Sequence, residues 1–169
     1  MQKQPLDLIK QTDELRSFRK SFILSPIQWD KLNLSIKIKW QIVKFNANNI
    51  NLIPEVRGIY CFMIRREHEY LPTHGYITYI GITGDKNNRT LRTRYKDYVR
   101  EKTRPKRVKI HELLNKWEDD LFFYFWEVSD KSIALGAIES SLLFSLIPPL
   151  NEKDFPGEFG KIVKEAWRN

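Results

Sequence analysis

The sequence predicts an α+β domain: a small mixed or antiparallel three-stranded sheet packed with helices, preceded by an N-terminal helical and extended segment. Two runs rich in aromatic and β-branched residues, Gly58–Ile64 and Tyr76–Ile82, flank a charged loop containing Pro72 and Gly75, as a long hairpin would. A third run, Leu121–Val128, is too aromatic and too short to be anything but a buried strand. Stretches of helical apolar spacing lie between and after these runs, so strands and helices are mixed along the chain. At 169 residues and 41% hydrophobic, the chain is long enough for one core and short for two. We therefore expect an extension over residues 1–53 and one domain over residues 54–169.

Leu6 to Phe18 has loose helical spacing, and Ser25-Pro26-Ile27-Gln28 reads as a capping box with proline at the first helical position. Ile36, Ile38, Trp40 and Ile42 alternate with polar residues, which predicts a strand over Ser35–Val43 before the Asn-rich connector Asn46–Asn51. After the hairpin, the loop Gly84–Asn88 leads to a helix in which Leu91, Arg94, Tyr95 and Tyr98 share a face. Ile110, Leu113, Leu114 and Trp117 mark a second helix. Ser132–Leu146 marks a third, ended by Pro148-Pro149.

Charge is concentrated in one place. Between Arg89 and Lys109 stand ten basic residues, among them Arg89, Arg92, Arg94, Lys96, Arg100, Lys102, Arg104, Lys106 and Arg107, against Asp97 and Glu101. That excess of eight equals the formal net charge of +8, so the rest of the chain balances. A field so localised is the footprint of a polyphosphate partner, and the bland alternative is a solvated basic face. No apolar run approaches the ~18 residues of a membrane helix, and Met1 to Lys10 has no signal-peptide core. A cytosolic location without membrane contact is expected. Cys61 is the only cysteine, and His68, His74 and His111 are scattered, so zinc-ligand spacing is absent and a catalytic metal would rest on oxygen ligands.

Glu139 stands out in the third helix, which is apolar nearly all round and offers only serines beside it. A carboxylate there needs a cation to meet it. A metal ion or the basic helix would supply one; the structural alternative is a salt bridge that fixes the helix on the sheet.

Gly58-Ile59-Tyr60 and Tyr79-Ile80-Gly81 spell two tripeptides, followed by Leu91-x-x-Arg94-x-x-x-Tyr98, by Glu139, and twelve residues later by Asn151 in Pro148-Pro149-Leu150-Asn151. Either tripeptide alone carries little, but the ordered series over Pro54–Asn151 resembles the GIY-YIG nuclease superfamily, in particular its restriction-endonuclease-like members. The resemblance implies phosphodiester hydrolysis of double-stranded DNA with one Mg²⁺ (or Mn²⁺) per active site. It implies a site of Tyr60, Tyr79, Arg94, Tyr98, Glu139 and Asn151, with Glu139 holding the metal and Asn151 structural. Arg94 would offer its planar fork to the phosphate, and Tyr60 or Tyr79, acidified by the arginine and metal, would take the water's proton with Tyr98 assisting.

Two features depart from the family. Cys61 to Thr78 separate the tripeptides where compact members have about ten residues, and Gly81 to Arg94 is also extended, as in loops elaborated at a DNA surface. Ile82 follows Gly81 where many relatives carry lysine, leaving Lys86 as the nearest replacement. DNA contacts are expected from Lys86, Arg89, Arg92, Lys96, Arg100, Lys102, Arg104, Lys106 and Arg107. A site-specific restriction enzyme is the leading expectation, a repair or branched-structure nuclease the second, and a non-catalytic DNA-binding module the third. Cutting both strands needs two sites, so a homodimer is expected, with Phe18, Phe22, Trp29 and Trp40 of the extension as its exposed aromatics.

Overall fold

The computed structural model describes residues 7–168, centred on a four-stranded antiparallel sheet. Strand β1 (Gln41–Lys44) pairs with β4 (Leu121–Glu127), β4 with β2 (Gly58–Ile64), and β2 with β3 (Tyr76–Thr83), so β1 and β3 are the edges. The expected sheet has three strands; the strand expected in the extension joins it as a fourth, and all pairs are antiparallel. The extra strand starts at Gln41 instead of Ser35, because Ile36 and Ile38 are half-buried against the core through irregular backbone. Their alternation reflects packing and not a ladder of hydrogen bonds.

Helices cover both faces, which is why β2 is apolar at every position. On one face Tyr60 and Phe62 pack with Phe123, Phe125 and the apolar sides of α3 (Leu91–Glu101) and α4 (Val108–Lys116). On the other, Ile59, Cys61 and Ile80 pack against Leu135, Ile138 and Leu142 of α5 (Leu135–Leu146) and Val163 of α6 (Gly157–Ala166). Helix α6 lacked a sequence forecast. It is held by an aromatic cluster of Phe144, Phe155 and Phe159 that forms only when α5 is in place.

Residues 41–53 belong to the same body as the rest: Phe45 and Ile53 are fully buried in the first core, and Asn46–Leu52 closes over α3. There the expected connector is a 3-10 helix, Ala47–Leu52, started by the Asn46 side chain accepting from Asn49 N at 3.1 Å. Further upstream, α1 (Leu8–Ser17) buries none of its residues, while α2 (Pro26–Trp29) rests near α5. The sequence start of the first helix, Leu6, and most of the stretch Met1–Lys10 lie outside the described residues. Phe18, Trp29 and Trp40 are exposed as expected, but Phe22 is half-buried against Tyr76 at 5.3 Å between ring centroids. No helix among the described residues is long and apolar enough to cross a membrane.

Candidate active site

The two tripeptide glycines are explained by close approach. Strand register sets Tyr60 opposite Gly81, and a Cβ at Gly81 would stand 2.5 Å from the Tyr60 hydroxyl. At Gly58 a Cβ would meet the Trp126 carbonyl oxygen at 2.2 Å, so glycine there lets β4 pair with β2. Because Gly81 has no side chain, the fully buried Tyr60 phenol packs against β3 and borders the cleft at that edge. Gly81→Ala is expected to displace that phenol and cost about 1–3 kcal/mol through overpacking. Urea unfolding checks it, and an unchanged midpoint would show that the crowding is relieved elsewhere.

Around that phenol the site assembles. Arg94, on the first turn of α3 after the Thr90 cap, donates through Nε to Tyr60 Oη at 2.9 Å. Tyr60 Oη and Tyr98 Oη share a hydrogen bond of 2.9 Å, and the Arg94 guanidinium stands 5.4 Å from the centre of the Tyr98 ring. The Tyr79 ring lies 6.3 Å from both Tyr60 and Tyr98. Glu139 arrives from the other face of the sheet on α5. Tyr60, Tyr79, Gly81, Ile82, Arg94, Glu139, Ser140, Leu143 and Asp154 line one cleft of about 320 Å³ at the edge of β3.

The electrostatics depart from expectation at the tyrosines. Burial pushes the Tyr60 phenol up to about 12, reinforced by Tyr79 and only partly offset by the Arg94 cation. Burial also raises Tyr79 and Tyr98, which each raise further beside a neighbouring phenol. The expected acidification by arginine therefore does not occur in the protein alone, because desolvation of a phenolate outweighs one nearby guanidinium. At Glu139 burial, reinforced by Asp154 and Asp85 and opposed by the Ile82 amide and Arg94, lifts the carboxyl to about 7.

Neither Glu139 nor Asp154 pairs with a Lys or Arg side chain among the described residues, which removes the salt-bridge explanation of Glu139. No group of three or more His, Cys, Asp and Glu side chains that could hold a metal ion is gathered among those residues. Two unpaired carboxylates in an open cleft still fit a hard cation that keeps several waters and a substrate oxygen, the habit of Mg²⁺. Asp154 is absent from the sequence expectations. Its only sequence signal was a position three residues after Asn151, whose Nδ2 donates to Asp154 Oδ2 at 2.7 Å.

Asn151 is tied to β3 through its side chain. It is buried, accepts from Ile80 N and donates to Ile80 O, both at 2.8 Å, and so pins the free edge of β3 beneath the site. Ile82 lines the cleft, while Lys86 stays exposed in the Gly84–Asn88 loop outside the lining.

The basic stretch does not form a single face. Arg89, Arg94, Arg100, Arg104, Lys106 and Arg107, with Asp97 and Glu101, line a second cleft of about 710 Å³ that shares Arg94 with the first. Arg92 is instead tied to Ile53 O and Glu55 Oε1, both at 2.7 Å, and Lys102 to Glu118 at 2.6 Å. Lys96 is half-buried and outside the lining. Three of the nine expected DNA contacts thus stand apart from the cleft on α3 and its connector, and Lys86 is a fourth. Comparison of the chain with family models, with curated proteins and with solved structures gave no match.

Proposed function

We propose that this chain is a metal-dependent DNA endonuclease of the GIY-YIG type, most closely a site-specific restriction enzyme. The observation that carries the reading is convergence: Tyr60, Tyr79, Arg94 and Glu139, from four separate elements, meet in one cleft that opens beside six cations. Phosphodiester hydrolysis requires a water in line with the leaving oxygen, positive charge on the pentacovalent phosphorus, and help for the departing alkoxide. Arg94 has Nε occupied by Tyr60, which leaves its terminal nitrogens to fork onto nonbridging oxygens. Glu139, with Asp154 beside it, would hold a single Mg²⁺ or Mn²⁺. The bound cation supplies positive charge that neutralises the phosphate and lowers the pKa of water and phenols close to it.

Within this scheme Tyr60 or Tyr79, ionised with its own proton lost to solvent when the cation is bound, would accept the water's proton at Oη and so return to the neutral phenol. Tyr79 is the partly exposed one, and Tyr60 is held in place by Arg94 Nε, which donates to its Oη, and by Tyr98 Oη. Asn151 positions β3. The long β2–β3 connection, exposed over residues 66–75, and the exposed apolar side chains of α1 and α2 support a restriction-type enzyme that works as a homodimer on DNA.

Incubation with a defined plasmid, and with flap and four-way-junction DNA, in Mg²⁺, Mn²⁺ or EDTA tests the reading. Discrete plasmid fragments in the two metals and none in EDTA are expected. Cutting of flaps or junctions alone would make it a repair-type nuclease, and binding without cutting in either metal would make it a DNA-binding module. The basic cleft gives a separate expectation. Replacing Arg104 and Lys106 with alanine should weaken binding to all DNA sequences alike and flatten the slope of log affinity against log salt by roughly 1.8, since each phosphate contact contributes about 0.9. An unchanged slope would place the duplex on another face.

A further inference from the structure

Arg107 is set up differently from the other cations of its stretch. It begins α4 as the N-cap residue, yet its side chain turns toward α3, where its guanidinium stands 4.9 Å from the centre of the Tyr98 ring. Arg94 stands over the same ring and lines the same 710 Å³ cleft. Glu101 fixes Arg107 in that place. This buried carboxylate accepts from Lys106 N at 2.7 Å and Arg107 N at 2.6 Å, and its second oxygen takes Arg107 Nη2 at 3.3 Å. Three hydrogen bonds to one carboxylate close the Lys102–Arg107 connector onto the end of α3. A surface cation meant only to meet DNA needs no such brace, because its partner arrives with the duplex.

Resting on the nuclease reading above, we propose that Arg107 is a second catalytic guanidinium, contacting the nonbridging oxygens of the scissile phosphate together with Arg94, and that Glu101 is its positioning residue. The physical logic is preorganisation. A guanidinium already held beside Tyr98 and oriented by Glu101 needs little reorganisation when charge builds on the phosphate. Tyr98 helps to keep two like charges in one cleft, because each guanidinium is attracted to its ring. Glu101 offsets part of the repulsion between them.

The test is single-turnover cleavage of a labelled duplex in Mg²⁺ by the full chain, beside affinity for the same duplex measured in Ca²⁺. Arg107→Ala is expected to lower the rate about 100-fold, as removal of one preorganised donor does elsewhere, while affinity falls less than about tenfold, the size of one or two phosphate contacts. Free guanidinium ion should restore part of the lost rate. Arg107→Lys keeps the charge without the fork and should lose most of the rate at nearly parental affinity. Glu101→Gln should lower the rate about tenfold with little change in affinity. A parental rate at saturating enzyme in Arg107→Ala or Arg107→Lys overturns the proposal and leaves Arg107 as an ordinary backbone contact. Thermal melts identify a variant that fails to fold; if Arg107→Ala is one, the lysine variant and Glu101→Gln decide. If the parent chain cuts no DNA in any metal, the nuclease reading falls first and the second guanidinium falls with it.

Discussion

Glu139→Ala is expected to lower single-turnover cleavage of duplex DNA by at least about 10³-fold in Mg²⁺, equivalent to about 4 kcal/mol of lost transition-state stabilisation. DNA affinity should hold within a few-fold, because the cations proposed to meet phosphate lie on α3 and the connector behind it. The fold should also survive, since Glu139 has no salt-bridge partner to strand among the described residues. Its raised pKa allows a finer check. A carboxyl at about 7 in the fold, against an ordinary value of 4.5, favours the neutral form, so ionising it costs stability as pH rises from the lower value through the higher. Glu139→Gln mimics the neutral form. In metal-free buffer it should match the parent near pH 5 and melt a few degrees higher at pH 8. A lower melting point for the glutamine variant at pH 8 would mean that a cation partner does meet this carboxylate, and parental cleavage by Glu139→Ala would remove it from the chemistry.

The second large effect is expected at Arg94. Lysine at this position keeps one positive charge but loses both the planar fork and the Nε donor to Tyr60 Oη. We expect the cleavage rate at saturating enzyme to fall by about 10² to 10³-fold. Affinity should change by less than about tenfold, the size of one or two phosphate contacts. Tyr60 and Tyr98 remain bonded to each other in this variant, so the tyrosine cluster is not left unpaired and the fold should persist. The opposite split, a large loss of affinity at a parental rate, would make Arg94 a binding residue and leave the phosphate's charge to other groups.

The sequence by itself determined the elements whose signal is local. Gly58–Ile64, Tyr76–Ile82 and Leu121–Val128 are so dense in β-branched and aromatic residues that they are strands in any context, and Leu91, Tyr95 and Tyr98 fall on one helical face whatever lies beneath. The lone carboxylate of Glu139 in an apolar helix was equally visible, since burying a charge is costly anywhere. What the tertiary structure decided is everything that depends on who is opposite whom. Ile36 and Ile38 alternate like a strand, but only contact with the second core shows that they pack without a ladder, whereas Gln41–Lys44 becomes a strand because β4 offers it an edge. Tyr60 or Tyr79 reads as acidified by an arginine and a metal, but in the protein alone burial outweighs the arginine and holds both phenols neutral, and burial is a property of the assembled core. Ten cations are legible as one stretch of sequence; pairing sent Arg92 to Glu55 and Lys102 to Glu118, and brought Arg107 to Tyr98 through Glu101. Charge can be counted along a chain, but its partners are fixed by folding, because Coulomb and desolvation energies depend on distances of a few ångström that sequence spacing does not encode.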